Sequence, residues 1–297
     1  MTLTPTRELM TAAATNGTGI GAFNVIHLET AEALVAAAER AGLPVILQIS
    51  QNCASYHGGL EPIAVASLAI ARAASVPVAL HLDHAEDERL AYHAVDLGFG
   101  SVMYDGAAQE YDENVAITAR VVAYAHARGV YVEAELGRVG GKGSAHAPGV
   151  RTDPHEAVAF VAATDVDALA VAVGSSHAMT ERVAALDLEL ISRLHAAVTV
   201  PLVLHGSSGV ADLQLVGAIR AGMTKINVST HLNGFFTAAI RGFLVENPSV
   251  VDPRKYVAAG RDAITGEAAR LLRLFALTPG AAFDPESVTK SEAEGQP

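Results

Sequence analysis

Eight short apolar runs, each followed by an alanine-rich amphipathic stretch, are the feature that most constrains the fold of this 297-residue chain. The runs are rich in β-branched residues and end in polar segments, which is typical of buried parallel strands. No glycine-rich dinucleotide turn follows the first run, where an open doubly wound sheet would usually carry one. Eight such units therefore predict an α/β fold, a single (β/α)8 TIM barrel with an additional C-terminal helix at about 253–276. The runs lie at 21–25, 44–50, 77–83, 101–106, 131–137, 168–174, 201–206 and 225–230.

Composition and charge narrow the class of protein. Apolar residues make up 51% of the chain, so a large core is available. The net charge of −12 argues against a nucleic-acid partner, because phosphate backbones need a basic footprint. One cysteine, no signal-like N-terminus and no apolar run of about 18 residues predict a cytoplasmic protein without a membrane segment. Residues 1–277 are expected to form the barrel domain, and the polar stretch 278–297 a disordered tail.

Three histidines follow predicted strands and suggest a metal site. They are His84, His177 and His205, in the segments HLDH, GSSHA and LHGSSG. Barrel enzymes build their active sites at the C-terminal ends of the strands. One such histidine is best explained as a hydrogen-bonded structural residue, but three imidazoles from three strand ends can hold zinc and leave its fourth position open. The pattern therefore predicts a catalytic rather than a structural zinc site.

Carboxylates occupy the same strand ends. Asp83 precedes His84 and can orient an imidazole or exchange a proton with a substrate. Glu133 and Glu135 share one face of the fifth predicted strand, where two inward carboxylates are costly unless each is paired or bound to a cation. They either hold a lysine such as Lys225 or approach the metal, and both interpretations remain open from the sequence.

The loops after the seventh and eighth runs have the composition of a phosphate site. HGSSG (205–209) and INVST (226–230) lie where many barrels bind phosphate. Gly206 permits close approach of the backbone, Ser208 and Thr230 offer hydroxyl groups, and amides at a helix N-terminus favour an anion. A plain helix N-cap by serine or threonine is the alternative, and both roles can hold together.

Taken together, these motifs resemble one family. AFNV, HLDH, VEAELGRVGG, GSSHA, LHGSSG and KINVST occur in the order seen in class II, zinc-dependent ketose-bisphosphate aldolases, and the similarity runs from about residue 7 to 276. The resemblance implies that His84, His177 and His205 bind zinc, with Glu135 at an alternative metal position, and that Asp83 is the acid/base at the C4 hydroxyl. It also implies the substrate-binding residues Asn24, Ser50, Gly174, Gly206, Ser208, Asn227, Ser229 and Thr230.

The implied reaction is reversible retro-aldol cleavage of a phosphorylated ketose. Fructose 1,6-bisphosphate or a related sugar would yield dihydroxyacetone phosphate and an aldehyde through a zinc-stabilised enediolate. The family resemblance further implies one catalytic Zn2+, a nearby monovalent cation such as Na+ or K+, and a homo-oligomer, either a dimer or a tetramer. The alternatives are a metal-dependent sugar-phosphate isomerase or epimerase and a non-catalytic sugar-phosphate-binding homologue.

Some positions depart from the family pattern. The stretch 140–149 (GGKGSAHAPG) lacks the acidic pair that the family carries there, and Ala178, Ser207 and His231 also differ. These changes lie where specificity is set. They favour a related substrate outside glycolysis, such as a ketose monophosphate, tagatose bisphosphate or an inositol-pathway keto-sugar phosphate, with His146 as a candidate base in place of the missing carboxylate.

Overall fold

Eight parallel strands close into a barrel in chain order, and β8 pairs with β1. The computed structural model describes residues 2–136, 151–176 and 179–279. The predicted single (β/α)8 barrel is confirmed. The strands are β1 Ile20–Asn24, β2 Val45–Ser50, β3 Val78–Ala85, β4 Ser101–Tyr104, β5 Tyr131–Glu135, β6 Ala168–Ala170, β7 Leu202–Leu204 and β8 Met223–Val228.

Helices cover the outside of the barrel, and a 3₁₀ turn at Ser207–Gly209 follows β7. The additional C-terminal helix predicted at about 253–276 is confirmed as α11, which begins at Pro253 and ends at Phe275. The helices of the described residues are α1 Thr6–Asn16, α2 Leu28–Ala41, α3 Gln51–Tyr56, α4 Glu61–Ala73, α5 Glu88–Leu97, α6 Tyr111–His126, α7 Pro154–Thr164, α8 Leu188–Ala197, α9 Asp212–Arg220, α10 Thr230–Glu246 and α11 Pro253–Phe275.

Two apolar cores stabilise this arrangement. The larger core lies between the strands and the surrounding helices. The smaller one fills the barrel interior, where small side chains such as Ala22 and Ala79 alternate with larger ones such as Ile46 and Tyr131. Helix α1, which the sequence did not predict, contributes Met10 to this inner core at 1% exposure. The helix therefore closes one end of the barrel.

The sixth and seventh strands are shorter than the apolar runs that predicted them. Paired strand β6 ends at Ala170, although the apolar run continues to 174. Beyond this point Ala172 pairs with Thr152, which lies outside the strands of the barrel. The amide of Ala172 donates to the hydroxyl oxygen of Thr152, and the carbonyl oxygen of Ala172 accepts from the amide of Thr152. Val171 and Val173 remain buried all the same. An apolar run predicts burial, and here burial extends further than strand pairing.

Within the ranges given above, no helix has the length and apolar character needed to cross a membrane.

Candidate active site and metal centre

An irregularity in β3 brings two adjacent residues to one pocket. The pairing of β3 with β4 shifts register between Leu82 and Ala85. His84 has a φ of 51°, in the left-handed region that non-glycine residues seldom adopt. Successive side chains of a regular strand point to opposite faces, whereas a bulge re-aims them. The sequence placed His84 just past the strand end; instead it lies within β3, and the bulge turns both Asp83 and His84 toward the pocket.

Two of the predicted metal ligands meet at this point. The Nε2 atom of His84 lies 2.9 Å from the Nδ1 atom of His205. The second nitrogen of each ring is anchored by a carboxylate: His84 Nδ1 lies 2.6 Å from Asp105 Oδ2, and His205 Nε2 lies 2.8 Å from Glu133 Oε1. Metal-binding histidines commonly have this arrangement, because the outer carboxylate fixes the tautomer and the ring orientation. The third predicted ligand, His177, lies outside the described residues.

Carboxylates complete a donor set that fits a divalent metal. Ligand atoms of Asp83, His84 and His205 lie within 4.8 Å of one another, as do those of His84, Asp105 and Glu135. The Oε2 atom of Glu135 lies 3.9 Å from His205 Nδ1. Imidazole with carboxylate is a donor combination that zinc and other first-row divalent metals accept.

The structure separates the two glutamates of β5. Glu133 accepts a hydrogen bond from Lys225 Nζ at 2.8 Å, so it forms the buried ion pair that one interpretation of the sequence predicted. Glu135 lies two residues further along, beside the histidines. The ion-pair interpretation is therefore confirmed for Glu133, and the approach of Glu135 to a metal stays a prediction.

The electrostatic environment keeps Asp83 ionised and favours a charged His84. Burial of the Asp83 carboxyl favours its neutral form, but the imidazoles of His84 and His205 outweigh this effect and hold the pKa of Asp83 below its ordinary value. Burial of the His84 ring opposes its charged form, yet Asp83 and the hydrogen bond to Asp105 raise the pKa of His84 to about 10. A cation is therefore stabilised at this position.

A chain of amides orients the Asp83 carboxylate. Gln48 Nε2 donates to Asn24 Oδ1 at 2.8 Å, and Asn24 Nδ2 donates to Asp83 Oδ2 at 2.9 Å. Three other oxygens here, Asp83 Oδ1, Gln48 Oε1 and Asn227 Oδ1, are buried and have no hydrogen-bond partner among the described residues. Buried acceptors are normally satisfied, so a ligand that brings hydroxyl donors fits this pocket.

These residues line one pocket of about 200 Å3 at the C-terminal ends of the strands. It contains most of the substrate-binding residues predicted from the sequence. Ser50 lines it while its Oγ accepts from Cys53 N at 3.1 Å and caps α3. Gly174 is not among its lining residues. The lining is Asn24, Gln48, Ser50, Asn52, Asp83, His84, Gly206, Ser208, Asn227, Ser229 and Thr230.

The loops after β7 and β8 meet at Ser208. Its Oγ accepts hydrogen bonds from the backbone amides of His231 at 3.2 Å and Ser229 at 3.4 Å. Gly206 has a φ of 66°, and a Cβ atom there would lie 2.7 Å from the backbone of Ser176. The glycine therefore lets the loop after β6 approach the loop after β7, whereas the predicted approach of its backbone to a phosphate stays a prediction.

Sequence reasoning missed Asp105, Gln48 and Asn52. Asp105 directly follows β4, so the rule that barrel sites lie at strand ends would have found it. Gln48 lies two residues before Ser50 in β2 and shares its face, which the alternation of strand side chains would have indicated. Asn52 lies in α3, a short helix whose position the sequence did not predict.

A closed parallel barrel with a polar, histidine- and carboxylate-lined pocket at its C-terminal strand ends defines a metal-dependent barrel enzyme. The sequence model of the class-II fructose-bisphosphate aldolases matches residues 4–278. The chain belongs to this family.

The relatives agree with this assignment. The chain is 40% identical to a fructose-bisphosphate aldolase of Geobacillus stearothermophilus, over 93% of this chain and 97% of that protein. It is 37% identical to one of Giardia intestinalis, with 99% of each chain covered. Among solved structures, the YdjI aldolase from Escherichia coli K12 superposes with a TM-score of 0.80 at 31% identity, covering 94% of this chain and 99% of that one. The chain is accordingly a metal-dependent aldolase, a lyase, and the isomerase and non-catalytic alternatives are not favoured.

Proposed function

We propose that this aldolase reversibly cleaves a phosphorylated ketose to dihydroxyacetone phosphate and an aldehyde, and that fructose 1,6-bisphosphate is the first substrate to test. The observation that carries the proposal is the position of Asp83. Its carboxylate is buried and fixed through Oδ2, its Oδ1 has no hydrogen-bond partner in the part of the chain that the structure describes, and it lies beside the two converging imidazoles. The names of the Geobacillus and Giardia relatives support the choice of sugar. Tagatose 1,6-bisphosphate is the second candidate.

The metal proposed for this site is Zn2+. His84 and His205 would hold it, with His177 as the third ligand and Glu135 as a nearby carboxylate. When bound, the ion supplies a Lewis acid for the ketone oxygen of the substrate. A monovalent cation such as Na+ or K+ near the phosphate remains a proposal that rests on the family resemblance.

Asp83 is proposed to move the proton at the C4 hydroxyl oxygen. In the cleavage direction, Asp83 Oδ1 accepts the hydroxyl proton, the C4–O bond becomes the aldehyde carbonyl, and the C3–C4 bonding electrons remain on the three-carbon fragment. In the condensation direction the same oxygen returns the proton. Asn24 and Gln48 hold the carboxylate in one orientation during both steps. The stretch 140–149, where the family carries its acidic pair, lies outside the described residues.

The remaining pocket residues are proposed to bind the substrate. Gly206, Ser208, Ser229 and Thr230 surround the N-terminus of α10, where backbone amides favour an anion such as the phosphate of the dihydroxyacetone end. Asn24, Ser50 and Asn227 are proposed to contact the sugar hydroxyls. Gly174 would act indirectly: its φ is 118°, and a Cβ atom there would collide with the carbonyl oxygen of Ala185, so the loop after β6 needs glycine at this position.

The test is cleavage of fructose 1,6-bisphosphate and tagatose 1,6-bisphosphate by the purified protein, with and without a chelator. Dihydroxyacetone phosphate is measured by coupled reduction with NADH. We expect release that the chelator abolishes and added zinc restores. Asp83→Asn should lower kcat by roughly 10²–10⁴-fold while zinc remains bound. Asp87→Asn, at the exposed N-cap of α5, is the matched control and should leave cleavage unchanged. Full cleavage by Asp83→Asn would contradict the assigned role.

Three broader expectations remain predictions. They are a dimer or tetramer, a cytoplasmic location, and a barrel domain at 1–277 followed by a tail, of which 280–297 lie outside the described residues. Light scattering coupled to size exclusion tests the first, and limited proteolysis near residue 278 tests the last.

A further inference from the structure

A buried ion pair lies inside the barrel, beneath the proposed metal site at His84 and His205. Lys225 on β8 and Glu133 on β5 are both 1% exposed, and Lys225 Nζ donates to Glu133 Oε2 at 2.8 Å. A buried ion pair is usually no more stable than well-packed apolar side chains of similar volume. Stability alone is therefore a weak explanation for this pair.

Glu133 links the ammonium group of Lys225 to His205, a proposed metal ligand. Its second oxygen, Oε1, lies 2.8 Å from His205 Nε2. An ionised carboxylate only accepts hydrogen bonds, so the 2.8 Å contact with Glu133 favours the His205 tautomer that carries its proton on Nε2, and this contact is shorter than the 3.1 Å between the same atom and Asn227 Nδ2. The Nδ1 atom of His205 then presents its lone pair toward His84 Nε2, 2.9 Å away. The opposite tautomer would place a proton where a metal has to bind.

Lys225 is itself held from a second side. Its Nζ lies 3.3 Å from His81 Nε2, and His81 Nδ1 lies 2.8 Å from Ser101 Oγ. Because an ammonium group only donates, Lys225 can hold Glu133 only through the ionised carboxylate oxygen. Contacts with two barrel strands fix the ammonium group, and the ammonium group fixes the glutamate.

We propose that Lys225 and Glu133 are positioning residues for the metal: Lys225 fixes the carboxylate of Glu133, and Glu133 fixes the tautomer and orientation of His205. The inference rests on the proposed function, because it takes His84 and His205 as metal ligands. It deepens that proposal by assigning a task to the two buried charges that the cleavage step does not use.

The experiment measures zinc binding rather than activity. Lys225→Met alone would strand a buried carboxylate, so double variants remove both charges together. E133L/K225M removes the acceptor, whereas E133Q/K225M keeps a side chain of similar volume whose amide permits either tautomer of His205. The control is Ile264→Ala on α11, 1% exposed and remote from the pair in the fold, which lowers stability without touching the site. Competition with a chromophoric chelator gives the zinc Kd and the dissociation rate, and the visible spectrum of the Co2+ form reports the ligand geometry.

We expect E133L/K225M to bind zinc up to about 100-fold more weakly than the wild type, and E133Q/K225M about 10-fold more weakly. The Co2+ spectrum should change in both double variants and stay unchanged in Ile264→Ala. Wild-type affinity in the double variants would overturn this inference alone. A wild-type protein that binds no zinc would overturn the proposed metal site and this inference with it. If E133L/K225M fails to fold, E133Q/K225M decides, and wild-type affinity there refutes the role of the pair.

Discussion

Substitution of Gly206 by alanine tests whether the loops after β6 and β7 need their close approach. Gly206 has a φ of 66°, and an added Cβ would lie 2.7 Å from the backbone of Ser176. Gly42, the C-cap of α2, has the same φ of 66° but meets nothing within 4 Å among the described residues. The two glycines therefore separate the cost of the backbone conformation from the cost of the contact.

The expected magnitudes differ accordingly. Alanine in the left-handed region costs about 1–2 kcal/mol, and at Gly42 this is the whole effect. At Gly206 the backbone of Ser176 must also move by roughly 0.7 Å to reach ordinary contact at 3.4 Å, which adds about 1–3 kcal/mol of overpacking. Because Ser176 directly precedes the proposed ligand His177, we expect kcat/KM to fall by about 10–100-fold in Gly206→Ala. In Gly42→Ala it should not change.

Urea unfolding provides the stability measurement, and cleavage of fructose 1,6-bisphosphate provides the activity. Unfolding is followed in the presence of a chelator, so that lost metal affinity does not add to the stability difference. Equal losses of stability in the two variants, together with unchanged cleavage by Gly206→Ala, would refute the reasoning. That result would mean that the loop after β6 accommodates a side chain at this position without consequence for the site.

Two further predictions concern the stability of the fold. Burial of the Glu267 carboxyl favours its neutral form, but its hydrogen bonds to Arg270 and His231 outweigh this and lower its pKa from 4.5 to about 2. The lowered pKa means that the ionised carboxylate stabilises the fold above pH 4.5, and that this stabilisation is lost as the pH falls through about 2. Glu267→Gln should therefore be less stable than the wild type at pH 7 by about 1–3 kcal/mol, and the urea midpoints should converge between about pH 5 and pH 2. A constant difference across that range would contradict the assignment. Met10→Ala should cost about 2–5 kcal/mol with zinc affinity unchanged, because Met10 closes the barrel interior at 1% exposure. A loss below about 0.5 kcal/mol would show that α1 does not contribute to this core.

The architecture could be predicted because its determinants are periodic. Buried parallel strands appear as apolar runs, and eight consecutive units of strand and helix predict a closed barrel. Strand ends were less predictable. At β6 the apolar run continues past Ala170 because Val171 and Val173 are buried, although strand β6 ends at Ala170. Helix α1 lies outside the βα repeat, so the repeat could not predict it.

The sequence could predict at which end of the barrel the candidate residues lie, but not which contacts each side chain makes. The position of β5 indicated two inward glutamates but not their separate tasks. Two residues along a strand span about 6.6 Å, so Glu133 lies one layer deeper, at Lys225, while Glu135 lies at the level of the histidines. The bulge that turns His84 toward Asp83 depends on the pairing with β4, which the HLDH motif does not encode.

The charge balance of the site links metal binding to substrate binding. Asp83, Asp105 and Glu135 are gathered around His84, and such a group of carboxylates stabilises a cation and raises the pKa of His84. The same field repels a phosphorylated sugar from the protein without a cation at this position, the more so because the whole chain carries a net charge of −12. A divalent ion between the imidazoles would cancel that repulsion at the reacting carbons. The proposed phosphate site lies at Ser208 and the first residues of α10, where the backbone amides of a helix N-terminus favour an anion. We therefore expect the metal-free protein to bind the phosphorylated sugar more weakly, in addition to losing cleavage.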